Sequence, residues 1–175
     1  MYKHRLAALF DPNSILVISD IDLPLSDHIP PRLQQNIEWL RWDVASQEGL
    51  LSGAPQQAPA SASSKYSTKI DSPDLALICL SPHKIDLALQ VLTERRPKAL
   101  IVLPYSKSEP DSLDLLPVIE AWSKEHNCLL LGPRAFGVQR PMQGLNLSRI
   151  PLVHAGKVAV VSQSRMILMS VLDWA

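Results

Sequence analysis

Five short apolar runs constrain this chain more than any other feature: residues 14–19 (Ser-Ile-Leu-Val-Ile-Ser), 75–80, 99–103, 128–131 and 158–161. Polar residues do not alternate with apolar ones inside them, so each reads as a strand covered on both faces, the pattern of a parallel sheet. Between them lie segments with helical spacing. Residues 81–96 place Ile85, Ala88, Leu89 and Leu92 on one face and open on Ser81-Pro82, an N-cap and first-turn pair. Residues 113–126 repeat the pattern with Leu115, Leu116, Ile119 and Trp122, and Pro117 is positioned to shift or kink the first turn. Residues 31–42, carrying Leu33, Ile37 and Leu40, form a third expected helix, with Trp39 and Trp42 near its end as core residues. A second strand is expected at 42–45. Strands alternating with helices predict an α/β fold, a doubly wound parallel sheet with right-handed crossovers.

Composition narrows the function classes. Seventeen Lys plus Arg balance seventeen Asp plus Glu, so no long-range field gathers the chain onto nucleic acid or an anionic membrane. No apolar run approaches the roughly 20 residues a bilayer requires, and the opening apolar stretch is too short for a signal peptide, which predicts a cytoplasmic protein. Cys79 and Cys128 each lie inside an apolar run and read as buried, reduced thiols. The five histidines, His4, His28, His83, His126 and His154, show no ligand spacing, so no metal site is expected. Residues 46–72 are rich in Pro, Ala, Ser and Gln and read as a flexible loop inside a domain spanning 1–150. Residues 158–161 and 165–174 then read as a new strand and helix that end without a cap or polar tail, as if the architecture continues beyond them.

Several segments carry a family resemblance. They are residues 131–137 (Leu-Gly-Pro-Arg-Ala-Phe-Gly), 141–146 (Pro-Met-Gln-Gly-Leu-Asn), 156–164 (Gly-Lys-Val-Ala-Val-Val-Ser-Gln-Ser) and 172–175 (Leu-Asp-Trp-Ala), with 9–18 and 73–78 matching the family's opening and third strand. The chain resembles the CoA-binding domain of the NDP-forming acyl-CoA synthetases. The Gln-Gly-Leu-Asn segment and the Leu-Asp-Trp-Ala ending look most like the Pat-type bacterial protein lysine acetyltransferases, which join an inactive synthetase-like region to a GNAT catalytic domain. The resemblance implies a Rossmann-like domain over 1–150 and, over 151–175, a linker and the first strand and helix of a following flavodoxin-like domain. It implies CoA or acetyl-CoA as ligand, with contacts at Ser19, Asp20 and Ile21, at Ser81, Pro82 and His83, at Pro104, Tyr105 and Ser106, and at Pro133 and Arg134. The diphosphate would sit near the first strand-to-helix loop. No residue inherits a catalytic role, because the synthetases' phosphohistidine belongs to the next domain. Acyl-CoA and the remaining domains of the same chain are the implied partners, with homo-oligomerisation open.

Departures from the family pattern shape a second reading. Where the family's first loop reads Gly-Ala-Ser, this chain has Ser19-Asp20-Ile21-Asp22, and no glycine occurs among residues 1–48. Asp20, Asp22 and Asp27 bring carboxylates toward the expected phosphates, and like charges about 4 Å apart at an effective dielectric of about 20 repel by roughly 4 kcal/mol. Arg134 adds a cation where the family has Asn, and Ser164-Arg165 replaces a Ser-Gly turn. A Rossmann-like module that has lost its ligand and serves as a docking or assembly domain is therefore the alternative, with a fragment of an acyl-CoA synthetase as a third. Without a Gly-x-Ser-x-Gly elbow, Ser164 reads as the N-cap of the last helix rather than a nucleophile. His83 reads as a first-turn residue beside the expected pocket.

Overall fold

The computed structural model describes residues 4–26, 29–41, 56–57, 69–105, 115–133 and 135–174. Five parallel strands form its centre: β1 (Ile15–Ser19), β2 (Ile37–Arg41), β4 (Leu75–Cys79), β5 (Ala99–Val102) and β6 (Leu129–Leu131), with Gln56–Gln57 as a two-residue antiparallel edge, β3. The strand order is β3-β2-β1-β4-β5-β6, the order of a Rossmann-like doubly wound sheet with its outermost third strand reversed. Helices α2 (Ile85–Arg95) and α3 (Leu116–Glu125) connect β4 to β5 and β5 to β6. No helix among the described residues is long and apolar enough to cross a membrane.

Every residue of β1 and of β4 is buried. Their side chains alternate between two cores. Ile15, Val17, Leu75 and Leu77 join one with α1 (Ala7–Phe10), Leu23, Leu25 and Leu33, and Val138, Leu145 and Leu147 of a hairpin made by β7 (Gly137–Arg140) and β8 (Leu145–Ser148). Leu16, Ile18, Ala76 and Ile78 join the other with Ile85, Ala88, Leu89 and Leu92 of α2 and Ile119 and Trp122 of α3. The α2 stripe thus buries all four residues its spacing predicts, whereas in the α3 segment Ile119 and Trp122 are buried and Leu115 and Leu116 only half-buried; Pro117 is accommodated without a break in the first turn of α3.

The segment 31–42 differs from its expected helix. It forms a single 3₁₀ turn at Pro31–Leu33 followed by β2. Ile37 and Trp39 face one core while Leu40 faces the other, a period of two that the helical spacing of Leu33, Ile37 and Leu40 concealed. Glu38, buried on the helical face, accepts the Ile70 N–H at 2.6 Å and Arg95 Nη2 at 3.1 Å, while Arg95 Nη1 donates to the Ile70 carbonyl at 2.8 Å. This ring ties β2, the end of α2 and the chain entering β4. The expected strand at 42–45 lies outside the described residues, as does most of 46–72.

At the same amino ends of the strands, Asp74 clamps the starts of three of them. Its Oδ2 accepts the Asn13 backbone and side-chain N–H groups at 2.9 and 3.0 Å, and its Oδ1 accepts Lys98 Nζ at 2.6 Å. Residues 158–161 form no strand: no described strand pairs with them, and a parallel strand exists only through hydrogen-bonded neighbours. Helix α4 (Arg165–Trp174) forms as expected, with Ser164 Oγ accepting the Ile167 N–H at 3.4 Å as N-cap.

Two measurements test this account. Leu77→Ala, at a fully buried position in the central sheet, should lower the free energy of unfolding by about 2–5 kcal/mol, read as a lower urea midpoint at unchanged slope. Burial raises the Asp74 pKa, but the Lys98 ammonium and the Asn13 donors together outweigh it and hold the carboxyl below its ordinary value. The folded state therefore favours the charged form. Its contribution is present above the unfolded carboxyl's value of about 4 and is lost as pH falls through that value toward the folded one. Asp74→Asn should cost stability at neutral pH, with the gap to wild type closing in acid.

Candidate functional site

The chain leaves β1 toward β2 on one side and β4 toward β5 on the other, so the carboxyl ends of these adjacent strands form the topological switch point. Ligands of open α/β sheets bind in the crevice there. Ser19 and Cys79 are register partners at the strand ends. The Ser19 hydroxyl lies 2.7 Å from the Ile21 carbonyl and 3.1 Å from the Cys79 carbonyl, and accepts the Ile21 N–H at 3.1 Å. Its single hydroxyl proton is thus taken by the backbone carbonyls at the turn that closes β1. Ile21 is half-buried against the core.

Asp20 turns inward. Its Oδ2 accepts Lys84 Nζ at 2.9 Å, and the two side chains are only 1% and 7% exposed. Asp20 Oδ1 is buried with no hydrogen-bond partner. Lys84 ends a 3₁₀ turn, Pro82–Lys84, that leads directly into α2, and its own N–H donates to the Ser81 carbonyl at 3.0 Å. Ser81 occupies the N-cap position with extended backbone, and its hydroxyl lies 3.3 Å from His83 Nε2 instead of capping the helix. Pro82 is half-buried at the first helical position, and His83 is exposed.

The neighbouring strand end is held by Arg149, which follows β8. Its Nη1 donates to the Pro104 and Tyr105 carbonyls, each at 2.6 Å. The Cys79 thiol lies 3.7 Å from the same Pro104 carbonyl. Burial pushes the Cys79 pKa up, nearby Arg149 lowers it, and Asp20 raises it, leaving it at about 12. Pro133 follows Gly132, whose φ of +115° and closeness to the Val102 carbonyl, 2.3 Å from where a Cβ would stand, require glycine.

The fold therefore brings Ser19, Asp20 and Ile21 together with Ser81, Pro82 and His83, and links Pro104 to them through Cys79, with the Tyr105 carbonyl held beside it by Arg149. Pro133 lies at the next strand end, beside β5. Ser106 and Arg134 lie outside the described residues. Two expectations are corrected. The first strand does not lead into an α-helix among the described residues: Pro24–Ser26 and Pro31–Leu33 are 3₁₀ turns, so the helix start beside the switch point is that of α2. The loop carboxylates are also not uncompensated, since Asp20 pairs with Lys84 and Asp22 with Arg41 at 3.0 Å; Asp27 lies outside the described residues.

Sequence reading missed Lys84 and Arg149. Lys84 had a signal, because it falls on the same stripe as Ala88 and Leu92, and a charge on a buried stripe demands a partner. Arg149 had none, standing more than 40 residues from the carbonyls it holds. Burial raises the Cys128 thiol to about 12 as well, with Arg5 opposing. Both thiols should resist iodoacetamide at about pH 8 in the folded protein and react once urea unfolds it. Modification of either in the native state would contradict this burial.

No protein-family model matches the chain. A solved structure, PH0766 from Pyrococcus horikoshii OT3, is similar with a TM-score of 0.69 over 97% of this chain, at 17% sequence identity. The chain spans 38% of the length of that protein. At this identity the likeness carries the fold, and the chain is a Rossmann-like α/β domain of the architecture seen within that archaeal protein.

Proposed function

We propose that this chain is the N-terminal CoA- or acyl-CoA-binding, regulatory domain of a Pat-type GNAT protein lysine acetyltransferase, with no chemistry of its own. The observation that carries this reading is the coincidence of the switch point with residues that the family resemblance assigns to CoA: Ser19, Asp20 and Ile21 follow β1 and Ser81, Pro82 and His83 follow β4, the two strands that flank it. Pro104, Tyr105 and Pro133 follow the next two strands in order. A long ligand laid across these ends meets all four loops. On this reading acyl-CoA and the remaining domains of the same protein are the partners, and the acetyl group is transferred elsewhere.

A second reading, a docking module without ligand, is favoured by one observation: the Asp20–Lys84 pair bridges the switch point, and no helix N-terminus follows β1 among the described residues. Calorimetric titration of the purified chain with acetyl-CoA and with free CoA, at low and moderate salt, decides between them. Saturable binding that weakens with salt is the expected outcome. Silence from a folded sample would replace the CoA reading with the docking module.

A further inference from the structure

We propose that Asp20 is an internal carboxylate that occupies the seat of an external oxyanion at the switch point, holding Lys84 until a phosphate-bearing ligand displaces it. This rests on the reading of the crevice as a phosphate-ligand site and adds its regulation.

Three observations carry it. The pair joins residues 64 positions apart, across the two strand ends that bound the crevice. Both side chains are more than nine-tenths buried, so Lys84 is removed from solvent and has an anion already bound to it. The pair is also incompletely satisfied: Oδ2 accepts from Lys84, while Oδ1 is buried without a donor. The nearest hydroxyl of the same turn does not relieve it, because Ser19 is committed to the Ile21 and Cys79 backbone.

A buried acceptor left without a donor is costly, and the cost is removed if Asp20 swings into water. What Asp20 leaves behind is a buried ammonium where the Pro82–Lys84 turn runs into α2, the end of an 11-residue helix at which the helix dipole favours negative charge. An uncompensated buried cation is unstable by itself, so opening is favoured only when another anion takes the place. A phosphate group supplies that charge, and because it enters from the crevice its remaining oxygens can stay toward solvent, where the inward-turned carboxylate leaves one oxygen buried without a donor. The pair thus sets a threshold: weak or singly charged anions do not displace Asp20, and a diphosphate does.

The test uses inorganic pyrophosphate as probe on the full chain, its Asp20→Asn variant, and the double variant Asp20→Asn with Lys84→Gln. Asp20→Asn should bind pyrophosphate about tenfold or more tighter than wild type, and the double variant should lose that gain. Lys84 should be acylated slowly by acetic anhydride in wild type, rapidly in Asp20→Asn, and again slowly when pyrophosphate is added. In wild type the Asp20 carboxyl NMR signal should move toward its solvent-exposed position in step with pyrophosphate binding, a readout that stands even if the variant fails to fold. Equal affinity in a folded Asp20→Asn variant, or wild-type binding or its absence with the Asp20 signal unmoved throughout, overturns the proposal. Parallel CoA titrations separate the two readings. CoA binding indifferent to Asp20→Asn defeats the displaceable carboxylate alone, and a pyrophosphate gain without CoA binding defeats the CoA assignment alone.

Discussion

Burial of β1 and β4 on both faces is the constraint from which the other elements take their places. A strand with no polar face has to be covered twice, and the chain does this with unlike materials. Helices α2 and α3 cover one face, while α1, two 3₁₀ turns and the β7–β8 hairpin cover the other. The hairpin does more than fill space, because it delivers Arg149 to the carbonyls beyond β5. The cover of the sheet and the construction of the crevice are in this sense one arrangement.

Charges drawn into this interior come as pairs. Glu38 meets Arg95, and Asp20 meets Lys84. The first pair is fully engaged, since both Glu38 oxygens have donors and Arg95 also reaches the Ile70 carbonyl. The second leaves an oxygen orphaned. Buried ion pairs contribute little net stability, and their desolvation makes an unsatisfied member expensive. The contrast separates a pair that fastens β2 and α2 together from one standing at the crevice with bonding capacity unused.

The legibility of the fold followed from how local its signals are. Residues 15–19, 75–79, 99–102 and 129–131 are apolar runs whose character survives any context, and the stripe of Ile85, Ala88, Leu89 and Leu92 admits one buried face. Residues 37–41 were misread because Leu33, Ile37 and Leu40 satisfy a helical period as well as a strand's, and only the open edge of β1 decides between them. Residues 158–161 have a strand's composition but pair with no strand among the described residues. At the site, the loops that follow β1, β4 and β5 were legible as positions, while their electrostatics were not: Asp20 read as a repelling charge until Lys84 stood beside it.

The sequence by itself determined the buried strands β1, β4 and β5, the inward face of α2, and that the two thiols are buried, because hydrophobic periodicity is a property of near neighbours. Tertiary structure alone decided the strand order, the conversion of 37–41 into β2, and the charge state of the crevice. Each of these depends on contacts between residues far apart in the chain, such as Asp20 with Lys84 and Arg149 with Pro104, and the energy of such a contact exists only once the sheet has brought its partners together.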